Sequence, residues 1–197
     1  ILYFRIDRKK KLPISTFLYA LGKTRENILE TFYTYDNYTY DPSAKLWSTA
    51  FKPEKYKRPV KLLFDLIDKK NNKKILKKGE KLNFILAEKL KGKDLKEVIV
   101  SAEELIGKYT SGDIKDRNGE IILRSGFDIT KETLDKILSS ETYKLNLANV
   151  DSILRGPYIF ETIKQDKNNN KKEALFDIYK VLRPGEPPST EVAEEIF

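Results

Sequence analysis

The stretch IYKVLRPGEPPS, Ile178 to Ser189, constrains the fold more strongly than any other part of the chain. Three prolines, a glycine, an arginine and a glutamate fall in the six consecutive positions from Arg183 to Pro188. Proline fixes φ, removes a backbone donor and moves the preceding residue out of the helical region. RPGEPP is therefore predicted to be a rigid extended connector that presents Arg183 and Glu186. On local physics alone, it is a linker between two helices.

A second motif, FRIDRKKKLPIS, covers Phe4 to Ser15 near the other end of the chain. Ile1, Tyr3 and Arg5 alternate with Leu2, Phe4 and Ile6, which predicts an amphipathic strand. This strand leads into four consecutive cations, and Pro13 then predicts the start of a helix. The cations are Arg8, Lys9, Lys10 and Lys11. Cations on a junction held by proline could meet phosphates without a large ordering cost.

These motifs carry a resemblance to a known family. Together with GPYIFET (Gly156 to Thr162) and EALFDIYKVLRPGEPP (Glu173 to Pro188), the basic motif resembles the lobe (beta2) region of the beta subunit of bacterial DNA-directed RNA polymerase. The family pattern there reads roughly as IDR, a basic run and LP, then GPYI and ET, then an IYR and MRPGEPPT element. The chain departs from it mildly, at Lys180, Leu182 and Ser189. The match is strong at the two ends and weak in the middle.

The resemblance implies a domain organisation. A discontinuous, mainly helical lobe, residues 1–33 with 154–197, would carry an inserted α+β module at residues 34–153. The ends of an insertion must lie close in space, usually at a surface turn. The fold class is therefore predicted as α+β. Because the chain begins inside a strand-like run and has no methionine, we expect a piece of a longer polypeptide.

The middle of the chain contains an internal two-fold repeat at an offset of 47 residues. The matching positions include Ile75-Leu76-Lys77 with Ile122-Leu123-Arg124, Gly79 with Gly126, and Leu82 with Ile129. Each copy predicts a turn, a strand, a glycine break, a helix and a strand. The helices are expected at about 81–91 and 130–139. Two copies of one unit indicate a small module with pseudo-symmetry.

The charge balance favours a polyanionic partner. The chain carries 38 cations and 30 anions, a net charge of +8. Residues 1–33 have a net charge of +4, residues 34–153 of +5 and residues 154–197 of −1. A basic surface favours DNA or RNA. However, 30 of the cations are lysines, and a lysine-rich genome could give this charge without any nucleic-acid role.

Missing residue types exclude several chemistries. The chain has no Cys and no His, which excludes disulfides, thiolate zinc sites, catalytic thiols and histidine bases. Asp65 and Asp68 would point to opposite faces of a strand, so they do not predict a shared metal. No apolar run approaches the roughly 20 residues that span a membrane. We expect no catalytic residue, metal or cofactor in this segment. The resemblance implies that another subunit, beta-prime, binds the Mg²⁺ of the intact enzyme.

Two local patterns leave alternatives open. Residues 12–33 predict two short helices around Gly22, which could be a helix-turn-helix with Arg25 to Phe32 as its recognition helix. One Arg and two Glu make that helix a poor surface for the major groove. The run TFYTYDNYTYD, Thr31 to Asp41, is rich in aromatic residues at alternate positions. It could stack on unpaired bases, although cross-strand pairs are favoured.

The resemblance implies a segment of a nucleotidyltransferase that is not catalytic by itself. It would form one jaw of the DNA cleft, in the cytoplasm, facing the downstream duplex and the melted region. The implied partners are DNA and the beta-prime, alpha and sigma subunits, and the inserted module is an expected interaction surface. The predicted DNA-binding residues are Arg8, Lys9, Lys10, Lys11 and Arg183. Alternatively, Asp7 or Glu186 pairs with these cations. The rival functions are a stand-alone helix-turn-helix protein and a protein–protein interaction module without DNA contact.

Overall fold

The computed structural model describes residues 1–6, 8, 10–150 and 156–196. The helices within these residues are α1 (Ile14–Ala20), α2 (Arg25–Phe32), α3 (Phe84–Gly92), α4 (Ala102–Leu105), α5 (Lys131–Ser139), α6 (Tyr158–Gln165), α7 (Lys171–Leu182) and α8 (Thr190–Ile196). The strands are β1 (Tyr3–Ile6), β2 (Lys10–Pro13), β3 (Tyr35–Asp41), β4 (Leu46–Ala50), β5 (Val60–Lys61), β6 (Leu66–Asp68), β7 (Lys74–Leu76), β8 (Lys81–Leu82), β9 (Glu97–Val100), β10 (Ile114–Lys115), β11 (Ile121–Leu123) and β12 (Lys144–Ala148). A short 3-10 helix covers Pro53–Tyr56. None of the described helices is long and apolar enough to cross a membrane.

The prediction of a mainly helical lobe is wrong, because the fold is a mixture of helices and strands. Six antiparallel strands form the largest sheet, in the order β12-β3-β4-β9-β6-β7. The first segment also contains strands, since β1 and β2 pair as a hairpin in front of α1. The physical reason is that the chain reverses its direction near Arg8, so that Lys10–Pro13 pairs with Tyr3–Ile6. Its last two lysines therefore belong to a strand rather than to a strand-to-helix junction.

Helices from both ends of the chain share one apolar core. Tyr19 of α1, Leu29 of α2 and Phe160 of α6 are fully buried there. Ile178 of α7 and Ala193 of α8 join the same cluster from the two sides of RPGEPP. Residues 1–33 and 156–196 therefore fold together. The predicted boundaries of the insertion stay a prediction, and its end at 153 lies outside the described residues.

A buried polar network fastens α1 to the loop between α6 and α7. The carboxylate of Asp166 accepts hydrogen bonds from the hydroxyl groups of Ser15 and Thr16, the second at 2.9 Å. The side-chain amide of Asn168 donates to Thr16 at 3.3 Å and to Asp177 at 3.1 Å. Because Ser15 and Thr16 are almost fully buried, each hydroxyl needs such a partner.

The aromatic run contributes to strand pairing. Tyr40 of β3 lies opposite Trp47 of β4, and their ring centroids are 5.1 Å apart. Tyr38 is buried in the same cluster as Trp47. These contacts confirm the expected cross-strand pairs.

The backbone repeats itself at the offset read from the sequence. The strands and helix β7, α3 and β9 are followed 47 residues later by β11, α5 and β12. Three pairs of residues at this offset share a positive φ: Asn72 with Gly119, Gly79 with Gly126, and Asp94 with Glu141. A positive φ is uncommon outside glycine, so these coincidences indicate one chain path used twice. We refer to residues 60–100 as the first copy and residues 107–147 as the second copy.

Two local predictions near the carboxyl end are wrong. Tyr158 to Ile163 has aromatic and β-branched side chains that predict a strand, but it forms α6 instead, because Ile159, Phe160 and Ile163 share one buried face at helical spacing. RPGEPP joins α7 to α8, as expected of a linker, but it begins as a turn rather than an extended segment. The amide of Glu186 donates to the carbonyl of Arg183 at 3.4 Å and Gly185 has a φ of 89°, as in a type II turn.

A stack of three rings joins the second copy to the helical core. Phe160 lies between Tyr33 and Tyr109, with centroid distances of 4.3 Å on both sides. The hydroxyl of Tyr109 donates to Glu161 at 2.7 Å. Burial and this carboxylate raise the pKa of Tyr109 above its usual range. The sheet and the helices are therefore held together by both packing and hydrogen bonds.

Candidate nucleic-acid interface

The hairpin β1–β2 gathers most of the predicted DNA-binding residues. Its register places Arg5 opposite Lys11, with Lys10 one position earlier on β2. Arg8 lies in the turn, with a φ of 56°. All four side chains belong to exposed residues. Lys9, which was also predicted to contact DNA, lies outside the described residues.

The hairpin has one anchored face and one open face. On the anchored face, Leu12 is buried and the ring of Phe4 lies 5.2 Å from that of Phe17 in α1. On the open face, Tyr3 is 47% exposed and the ammonium group of Lys11 lies 4.7 Å above its ring. The cation–π contact limits the motion of Lys11 without neutralising its charge. The cations are therefore presented from a support that is packed against the core.

Arg5 belongs to this surface although it is not among the DNA-binding residues predicted from the sequence. The alternation of residues 1–6 already placed Arg5 on the same side as Tyr3, and the missing information was the strand β2 that brings Lys11 opposite to it. Like charges that face each other across a ladder are unfavourable. No carboxylate among the described residues pairs with Arg5 or Lys11. The hairpin is thus a site where an added anion would relieve repulsion.

Arg183 lies apart from the hairpin, at the carboxyl end of α7. Its guanidinium group lies 3.5 Å from the carboxylate of Glu186, which also accepts from the hydroxyl of Tyr179 at 3.0 Å. The internal pairing that the sequence left open is therefore present for Arg183. Both partners are about half exposed, so the pair is weak and exchanges easily with solvent.

Helix α2, the recognition helix of the alternative helix-turn-helix interpretation, uses polar side chains of its first turn for hydrogen bonds within the chain. The guanidinium group of Arg25 donates to Asn169 at 2.8 Å, and Glu26 accepts from the hydroxyl of Ser125 at 2.9 Å. These groups line a cleft of about 460 Å³ whose walls carry both positive and negative side chains. An amino-terminal turn held in this way is not free to enter a major groove.

Several acidic side chains form ion pairs with lysines within the fold. The buried carboxylate of Asp36 lies 2.8 Å from Lys52 and also pairs with Lys55. Burial tends to raise the pKa of Asp36, but the two lysines hold it below its usual value. Asp65 is partly buried and pairs with Lys74. In the part of the chain that the structure describes, no group of three or more such side chains is arranged to hold a metal ion.

Comparisons with known proteins identify relatives over the whole chain. No family model matches it. The chain is 42% identical over 198 residues to a protein of Agrobacterium fabrum, 40% identical over 198 residues to one of Rhizobium leguminosarum bv. trifolii, and 37% identical over 200 residues to one of Caulobacter sp.. All three are named DNA-directed RNA polymerase subunit beta, which confirms the resemblance of the motifs. The matches cover 100% of the chain but only 14–15% of the relatives' length.

Proposed function

Because this chain belongs, as a segment, to the beta subunit family of DNA-directed RNA polymerases, we propose that it works within such a subunit in transcription. Catalysis is a property of the whole assembly, and this segment provides a binding surface rather than a catalytic group. In this proposal, the Mg²⁺ that polymerase chemistry needs is held elsewhere, by beta-prime. The partners of the segment are DNA and the other polymerase subunits, including beta-prime, alpha and sigma.

The surface proposed to meet DNA is the hairpin β1–β2. The observation that carries this proposal is the group of four exposed cations, Arg5, Arg8, Lys10 and Lys11, on a support anchored to the core. Cations fixed in this way contact backbone phosphates with little loss of side-chain freedom. The expected binding is independent of sequence and decreases steeply with salt.

In this proposal, Lys9 and Arg183 contribute less to DNA binding than the four exposed cations of the hairpin. Lys9 follows Arg8 in the basic run and adds to its charge. Arg183 would have to exchange its contact with Glu186 for a phosphate. Since the existing pair is exposed, the exchange costs little, but the contact adds correspondingly little to binding.

The test is fluorescence anisotropy of labelled duplex DNA at several salt concentrations, with the 197-residue chain and an Arg5, Arg8, Lys10 and Lys11 to Ala variant. The logarithm of the binding constant falls with the logarithm of salt by about 0.9 for each phosphate contact. We expect the variant to bind more weakly and to lose about 2–3 from this slope, since each of its cations meets at most one phosphate.

A matched control removes the same charge from another place. Lys115, Lys131, Lys136 and Lys144 are exposed residues of the second copy, and changing all four to Ala gives the same net charge as the hairpin variant. The control should keep nearly the slope of the original chain. Equal losses in both variants would show that only net charge matters, and the hairpin would not be the DNA surface.

A further inference from the structure

The first copy exposes apolar side chains where α3 begins. Ile85 is 79% exposed and Phe84 is 38% exposed, although both lie in the first turn of the helix. Val60 of the neighbouring strand β5 is also 38% exposed and lies opposite Leu82, two residues before the helix. Single exposed apolar residues are ordinary, but three on adjoining elements are a feature to be explained.

The second copy shows that the fold does not require this exposure. The residues equivalent to Phe84 and Ile85 are Lys131 and Glu132, at the start of α5. The residue equivalent to Val60 is Gly107, whose amide still donates to the carbonyl of Ile129 at 2.8 Å. The same backbone path is therefore built with polar or small residues at these positions. The apolar residues of the first copy are not needed for folding.

The charges of the two copies differ in the same region. The first copy contains twelve cations and six anions, whereas the second contains seven of each. Strands β5 and β8 place Lys61 directly opposite Lys81, a destabilising arrangement. The equivalent residues in the second copy are Lys108 and Asp128, which have opposite charges. No carboxylate among the described residues pairs with Lys61 or Lys81.

We propose that the β5–β8 ribbon and the first turn of α3 dock an acidic protein segment with apolar side chains, such as an amphipathic helix. Apolar groups of the partner would cover Phe84 and Ile85, and its carboxylates would relieve the repulsion between Lys61 and Lys81, which share the ribbon face opposite to that of Val60 and Leu82. A nucleic acid would satisfy the lysines but would leave the aliphatic groups exposed. The combination of both features therefore favours a protein partner.

This surface is separate from the DNA surface. The proposal uses residues of the first copy, whereas the DNA proposal uses the hairpin near the start of the chain. Neither depends on the other, and the variants that test them share no position.

The experiment is an amide chemical-shift titration of the 197-residue chain with a synthetic acidic amphipathic helical peptide. Apolar residues of the peptide follow helical spacing, and a second peptide has the same composition in scrambled order. We expect saturable shifts at residues 60–61 and 81–86 with the first peptide only. A variant with Phe84→Lys and Ile85→Glu, copied from the second copy, should bind at least about tenfold more weakly, as when central apolar anchors are lost.

A second variant separates binding from stability. Lys81→Asp also copies the second copy and replaces a like-charge pair by an opposite one. The folded chain should become at least as stable in urea, while its affinity for the peptide falls several-fold. A substitution that only damaged the fold would lower both quantities.

Several results would overturn the proposal. These are the absence of shifts at residues 60–61 and 81–86, equal binding of the scrambled peptide, and unchanged affinity in both variants. Stronger perturbation of the same amides by duplex DNA would identify a nucleic-acid surface instead. Stronger perturbation by anionic lipid vesicles would identify a membrane surface.

Discussion

Removal of the Phe160 ring should destabilise the helices and the sheet together. Phe160 is completely buried, and it is stacked between Tyr33 of α2 and Tyr109 of the second copy. It therefore contacts two parts of the chain that are distant from it and from each other in sequence. We predict that Phe160→Ala lowers the free energy of unfolding and that the loss reaches every part of the structure.

The expected magnitude follows from burial and stacking. Truncation of a buried phenylalanine to alanine costs about 3–5 kcal/mol, including the cavity that remains. Each aromatic pair contributes about 0.5–1.5 kcal/mol beyond its buried area, and Phe160 makes two such pairs. The loss should therefore lie at the upper end of the range, about 4–5 kcal/mol. Phe160→Leu keeps most of the volume but loses both stacks, and it should cost about 1–2 kcal/mol.

Urea denaturation with two probes measures this effect. Trp47 is the only tryptophan of the chain and lies buried in the sheet, so its fluorescence reports on unfolding of the sheet. Far-ultraviolet circular dichroism reports mainly on the helices. If the ring stack couples the two regions, the variant lowers both transition midpoints by the same amount.

Phe32→Ala provides the control, since Phe32 lies on α2 and is 45% exposed. It should cost less than about 1 kcal/mol, as substitutions away from buried contacts usually do. The reasoning would be refuted if Phe160→Ala cost no more than this control. It would also be refuted if the helical signal moved while the Trp47 transition stayed in place.

Three further predictions concern other contacts. Asp166→Ala removes the acceptor of two buried hydroxyl groups of α1, so we expect a loss of about 2–3 kcal/mol in urea denaturation. Lys52 and Lys55 together lower the pKa of Asp36 by more than burial raises it. The ion pairs of Asp36 therefore stabilise the folded chain fully above about pH 3.9, and this stabilisation is lost as the pH falls through the pKa of the folded state. Asp36→Asn should flatten that acid limb of the stability curve and cost about 1.5–3 kcal/mol at neutral pH. Gly126→Ala should cost more than Gly79→Ala in thermal melts, because both have a positive φ but only the first would place its Cβ 3.2 Å from Leu29.

The sequence predicted those features that local chemistry encodes directly. The repeat was visible because Gly79 and Gly126 occupy turns that need a positive φ, and because apolar residues kept their spacing around them. The helix expected at about 130–139 is observed at Lys131–Ser139, where the side chain of Thr130 accepts from the amide of Thr133 as in a capping box. The cross-strand use of the aromatic run followed from its alternation.

The features that were missed depend on contacts between distant residues. Nothing local in the basic run indicates that Lys11 pairs with Arg5, since the turn at Arg8 contains no glycine or asparagine. The run from Tyr158 to Ile163 has side chains that suit strands, and only its packing against Tyr33 and Tyr109 makes it a helix. The same holds for the candidate DNA surface. The cations of the basic run were evident in the sequence, but Arg5, which lies opposite Lys11 on the open face, was not.

The central claim, that the hairpin faces DNA in the working polymerase, is tested most directly by photo-crosslinking. A photoreactive amino acid replaces Lys11, on the open face of the hairpin, in the full-length beta subunit, and polymerase assembled with it is irradiated on labelled DNA. Replacement of Lys136, an exposed lysine of the second copy, gives the matched control. The account predicts crosslinks to DNA from position 11 and few or none from position 136. Crosslinks only to protein from position 11, or equal DNA crosslinking from both positions, would contradict it.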